Sequence, residues 1–268
     1  MKVRPPAVAG LFYPTNPGLL RTMVTEYLLD ARDRAGGAPP AVPGVLRAAV
    51  VPHAGYIYSG STAASLFELI QPIADQIRHV VIVGPAHRVG IDGVALPDAE
   101  AMATPIGEVP LWTQGVETAL GMPQVVVNDA VHAQEHSLEV QLPFLQMILP
   151  EVDVLPLAAG WVDSTVVTDI LEALWGFEGT FLLMSSDLSH YHSYEEAQRI
   201  DSGTVQQILA CNPTVKHDQA CGATAVNAMS QFAASHNLTP ALIGFRNSGD
   251  TAGDKTSVVG YASIGYYD

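Results

Sequence analysis

The chain has 268 residues, 48% of them hydrophobic and 15% charged, with 27 acidic against 12 basic side chains and a formal charge of −15. This is the composition of a globular protein long enough to bury a sizeable core. The acidic excess argues against duplex nucleic acid or an anionic membrane as main partner, since both need clustered Lys and Arg. No basic segment precedes an apolar one at the N-terminus, Arg4-Pro5-Pro6 would break a signal helix, and no apolar run nears the ~20 residues of a membrane span. A cytoplasmic protein is expected. Two cysteines in such a length do not make a disulfide framework.

In chain order, apolar runs of strand length occur at 48–51, 80–83, 152–155, 180–184, 241–245 and 258–264. Helical periodicity is found over 61–70, 138–149, 165–175, 194–209 and 224–236. The alternation predicts a single α/β domain, residues 1–268, with a central sheet covered by helices on both faces. The last two strands have no crossover helix between them, which predicts antiparallel pairing and a mixed sheet. The stretch RAGGAPPAVPG, from Arg34 onward, reads as a Gly/Pro-rich loop rather than a domain boundary, because at most one helix precedes it.

Ligands of open α/β sheets bind at the carboxyl ends of strands, so the polar residues delivered there are the first to examine. VVPHAGYIYSG places His53 just past a strand, HVVIVGPAHR delivers His87, and TFLLMSSDLSHYH delivers Ser185, Ser186, Asp187 and then His190. Imidazoles from neighbouring loops can share one ion. Neither HExxH nor CxxC spacing occurs, so a metal site must be assembled from separated loops. AQEHSLEVQLPFLQ adds His136 and Glu139 at a helix start, where Glu139 would favour the positive helix end. KHDQACGATAV sets Cys221 at a helix entry, a position that lowers a thiol's pKa. Cys211, in ILACNPT, reads as structural. Gly55 is expected to let the chain turn beside His53, with Tyr56 and Tyr58 lining the pocket.

Taken together, the ordered motifs RPPAVAGLFYP, PHAGYIYSG, GPAHR, TPIGEVP, EHSLEVQLPFLQ, SSDLSHY, DQACGA and NSGD…VVGYAS closely resemble the Memo family, from Arg4 to Ala262. Its bacterial and archaeal members are called protein B of the AmmeMemoRadiSam system. The resemblance implies a fold similar to class III extradiol dioxygenases, which cleave catechol rings with non-haem Fe(II). It assigns His53, His87 and Cys221 as metal ligands, His190 as the base and His136 as the proton donor. Asp187 lies in the same motif, and we group it with the catalytic candidates. A thiolate in place of the dioxygenase carboxylate suits Fe(II) first, with Zn or Cu as alternatives, and is itself oxidisable. A functional link to radical-SAM and AMMECR-type proteins is a further implication.

Three activities follow from these residues. One is a dioxygenase-like redox enzyme acting on a small substrate. A second is a non-catalytic metal-binding or peptide-binding adaptor. The third is a zinc hydrolase in which Asp187 or His190 activates water.

Overall fold

The computed structural model describes residues 2–35 and 44–268; most of the expected Gly/Pro-rich loop lies outside the described residues. The strands are β1 (Val3–Arg4), β2 (Leu46–Val51), β3 (His79–Pro85), β4 (Val94–Leu96), β5 (Ala101–Thr104), β6 (Gly107–Pro110), β7 (Val125–Val127), β8 (Asp153–Ala159), β9 (Thr180–Ser185), β10 (His190–His192), β11 (Thr239–Asn247) and β12 (Val258–Tyr267). The helices are α1 (Pro17–Arg34), α2 (Tyr56–Ile70), α3 (Thr113–Leu120), α4 (Asp129–His132), α5 (Leu142–Ile148), α6 (Ser164–Trp175), α7 (Tyr194–Leu209) and α8 (Ala223–His236).

Among the described residues nine strands form one mixed sheet in the order β10-β12-β2-β9-β3-β8-β4-β7, with β11 beside β12. The pairs β2–β9, β9–β3 and β3–β8 are parallel, whereas β12 runs antiparallel to β2 and β11. A smaller sheet joins β1, β5 and β6. The central strands show why both faces are covered. Ala49 and Val51 of β2, Val80 and Ile82 of β3, and Phe181 and Leu183 of β9 enter one core. Their alternates Ala48 and Val50, Val81 and Val83, and Leu182 and Met184 enter the other. A two-residue period that is apolar on both faces can only be a buried strand.

Every predicted strand and helix is present, with one shift. The periodicity over 138–149 splits into a 3₁₀ turn at Glu139–Gln141 and then α5, because Pro143 occupies the first turn of the helix, where it has no partner to lose. Strands β1, β4 to β7 and β10 and helices α3 and α4 were not anticipated, and α1 only as the one helix that the segment before the loop could hold. At two to eight residues the former carry too few side chains to establish a period. No described helix is long and apolar enough to cross a membrane.

Candidate metal centre

Three parallel strand ends build the floor of the site. Val51 of β2 stands in register with Ser185 of β9, and Val83 of β3 with Met184. The residues that follow therefore leave the sheet side by side: His53 after β2, His87 after β3 and Asp187 after β9. The turn between α4 and the 3₁₀ segment adds Glu135, His136 and Ser137. One nitrogen from each of His53, His87 and His136 lies within 4.8 Å of the other two. The ring centroids are 5.2 Å (His53–His87), 5.4 Å (His53–His136) and 4.6 Å (His87–His136) apart. All three line a cleft of about 580 Å³ together with Asp187, His190 and Cys221. The six residues singled out in the sequence thus meet in one cavity.

Hydrogen bonds fix the tautomer of His53 and the orientation of His87. The Ser185 hydroxyl donates to the Ser137 carbonyl (2.6 Å) and accepts from the Gln141 amide (2.9 Å). Gln141 also donates to the Pro52 carbonyl, which places its NH₂ group. With its only proton used, Ser185 Oγ must accept from His53 Nδ1–H at 2.9 Å, so Nε2 of His53 is the bare nitrogen. Glu135, 1% exposed, accepts from His87 Nδ1–H at 2.9 Å and leaves Nε2 of His87 as the ring nitrogen without a protein hydrogen bond. A second hydrogen bond that orients an imidazole in this manner is the usual support of a metal ligand. Cys221 Sγ lies 3.2 Å from His53 Nε2; two such donors on one tetrahedral zinc would be about 3.6 Å apart. His136 Nδ1 is buried without a hydrogen-bond partner. The donor set fits a borderline-soft cation.

This geometry sits on a chain whose residues 4–265 match the family model described as Memo-like protein. The chain belongs to the Memo-like family. It is 35% identical to a MEMO1 family protein of Archaeoglobus fulgidus, across 98% of both chains. It is 32% identical to one of Thermoplasma acidophilum, across 97% of both. Against one of Thermotoga maritima it is 34% identical, over 97% of this chain and 98% of that one. Its fold is similar to that of an uncharacterized protein, JW3007, from Escherichia coli K12, with a TM-score of 0.50 at 10% identity over 82% of this chain and 99% of that one.

In this Memo-like chain burial keeps His53, His136 and His190 neutral. It lowers His53 well below the ordinary histidine value, helped by the nearby His87 and His136, and brings His136 to about 4. His190, half-buried on the same cleft, is lowered for the same reason. Burial alone would raise the Glu135 carboxyl. The hydrogen bond and charge of His87, with the N–H groups of Ser137 and His87, outweigh it and hold Glu135 well below the usual carboxylate range. Burial raises Asp187 to about 7 against the opposing hydrogen bond from the His53 N–H.

The expected activation of Cys221 by the helix entry does not survive in the folded chain. Gly222 caps α8, but burial and then the charge of Asp187 push the thiol up to about 12. A helix end contributes about half a charge, too little against near-complete desolvation. The thiol therefore keeps its proton, with His53 Nε2 at 3.2 Å and the Asp187 carbonyl at 3.7 Å as acceptors beside it. Cys211 lies at the end of α7 with φ of 49° and packs on the second core, as a structural residue would.

Other expectations around the site need correcting. Tyr56 is buried, donates to the Val140 carbonyl and packs on Phe144 and Tyr13, away from the cleft. Tyr58 does not line the cleft either. Gly55 has φ of −56°, and an added Cβ would meet Phe12 Cα at an ordinary 3.6 Å, so its turn needs no glycine. The glycines that matter are Gly84, whose Cβ would lie 2.7 Å from Ser137 Oγ, and Gly222, whose Cβ would lie 2.7 Å from the Ser185 carbonyl. Glu139 does not serve a helix end. Its carboxylate is buried against Arg4 and accepts from the N–H groups of Ala7 and Val8. Glu135 was missed altogether, although it directly precedes His136. Phe12, whose ring lies 4.7 Å from that of His136, and Arg88 also line the cleft unforeseen.

Proposed function

We propose that the protein is a metal-dependent redox enzyme of the non-haem-iron type, acting on a small substrate bound in the histidine cleft. The observation that carries this reading is the pair of Nε2 atoms on His53 and His87, whose opposite ring nitrogens are held by Ser185 and Glu135, with the Cys221 sulfur beside the first. His53, His87 and Cys221 would hold the ion, and Fe(II) is preferred over Zn or Cu(I) for redox work. A bound Fe(II) supplies one-electron and Lewis-acid chemistry. The chain's own residues supply the rest. His136 and His190 are neutral at neutral pH, so each can take a proton from a bound substrate and return it. Asp187, raised toward neutrality, stiffens the loop by accepting the His53 N–H.

Anaerobic purification, Fe(II) loading and an oxygen electrode test the reading with candidate small substrates. Substrate-dependent O2 consumption that disappears in H190A, with iron content unchanged, supports it. Iron binding with no turnover by any substrate supports the alternative of a non-catalytic metal-binding or peptide-binding adaptor. One observation favours that alternative: a thiol in the ligand set is oxidised by the same oxygen that the enzyme would use.

A further inference from the structure

We infer that the cleft receives a substrate bearing an oxyanion, a carboxylate or phosphate, whose charged group seats on Arg88. The inference rests on reading the cleft as a substrate site and names the class of molecule it would take. Arg88 follows His87 directly, is exposed and lines the cleft. Among the described residues five arginines find carboxylates, Arg4 with Glu139, Arg32 with Glu68, Arg34 with Asp30, Arg47 with Asp268 and Arg199 with Glu196, while Arg21, Arg78 and Arg246 do not. Arg88 forms no ion pair among the described residues either, and of these four it is the one that lines the histidine cleft.

The carboxylates beside it are engaged elsewhere. Glu135 receives the His87 N–H, the His87 ring and the N–H groups of His136 and Ser137. Asp187 is turned to the His53 N–H. Asp218 lines the same cleft but stays beyond ion-pair distance of the guanidinium. The Arg88 guanidinium makes no hydrogen bond or ion pair among the described residues, and its five donors form the planar fork that matches a carboxylate or phosphate bidentately. Its positive field reaches the histidine cluster, where it disfavours the imidazolium of His136. A cation on the histidines would add to that field, and a concave wall focuses it on an incoming anion. The Phe12 ring against His136 gives the rest of the molecule an apolar edge to lie on.

The test follows the histidine ring resonances of the full chain by NMR while benzoate, inorganic phosphate or neutral benzyl alcohol is added. The wild type, R88M, R88K and the distant control R246M are compared, each with its zinc content measured. The inference expects benzoate or phosphate to shift the His136 and His87 signals, and the stronger of the two identifies the oxyanion. Affinity should fall roughly tenfold or more in R88M, corresponding to about 1.4 kcal/mol, less in R88K, and not at all in R246M. Equal anion affinity in R88M, equal binding of benzyl alcohol, or no shift with either anion would overturn it. Metal-replete wild type that ignores both anions sinks this inference alone. Anion binding by a chain that takes up no metal sinks the metal reading and leaves this one standing.

Discussion

Arg4 and Glu139 form an ion pair closed off from solvent, with side chains 6% and 0% exposed. It ties the N-terminal segment to the turn that carries His136. Arg4 also donates to the carbonyls of His132 and Glu135, while Glu139 accepts from the Tyr13 hydroxyl. Phe12, one residue before Tyr13, rests on the His136 ring, and its carbonyl accepts from Tyr56 N–H at the start of α2. The RPPAVAGLFYP motif is therefore a brace for the site and contributes little chemistry of its own.

Removing one partner of that pair leaves a buried charge unmatched. R4M should lose about 3–5 kcal/mol of stability, the usual cost of breaking a buried pair from one side. Urea denaturation of the metal-free chain measures it. A loss below about 1 kcal/mol would mean that water reaches the pair.

The ligand set is tested by metal content and affinity after anaerobic reconstitution. H53A and H87A should each abolish stoichiometric binding, and H190A should leave affinity nearly unchanged. C221A should weaken binding more than H136A does. The reverse order would make His53, His87 and His136, the three residues whose nitrogens cluster within 4.8 Å, the ligands and Cys221 a neighbour.

Glu135 should act through His87. In E135Q an NH₂ group replaces one of the two oxygens that together accept three backbone N–H groups, and the His87 Nδ1–H loses its charged acceptor. Metal affinity is expected to fall about 10–100-fold. A changed His87 Nδ1–H resonance, with unchanged circular dichroism, would separate this from loss of fold. An unaltered affinity and resonance would show that His87 orients itself.

His132 predicts an acid-sensitive fold. It is buried, its Nε2–H donates to the Ala95 carbonyl, and burial lowers it to about 4 from 6.5. The unfolded chain therefore binds this proton first as pH falls from about 6.5 to about 4, and stability drops through that window. The full effect is on the order of 3 kcal/mol. Denaturation midpoints from pH 7 to pH 4 should show this loss, and H132N should show a shallower slope. An identical slope would assign the acid sensitivity to His53 and His136, which shift the same way.

The layered fold was legible in the sequence because its central strands are apolar on both faces and its long helices hold their period. The positions of His53, His87 and Asp187 were legible too, since strand ends in such a sheet converge on one edge. The fourth wall of the site was legible only in His136, which the resemblance supplied, and not in Glu135. Glu135 and His136 reach the cleft from a short turn with no period of its own, held there by Arg4 from more than a hundred residues away. Nor does sequence spacing reveal which nitrogen of an imidazole is bare. The Ser185, Gln141 and Glu135 contacts decide that, and they exist only once the sheet has brought β2, β3 and β9 together. The thiol of Cys221 shows the same limit. Its local position favours a thiolate, but the folded protein removes its water, and desolvation is the larger force.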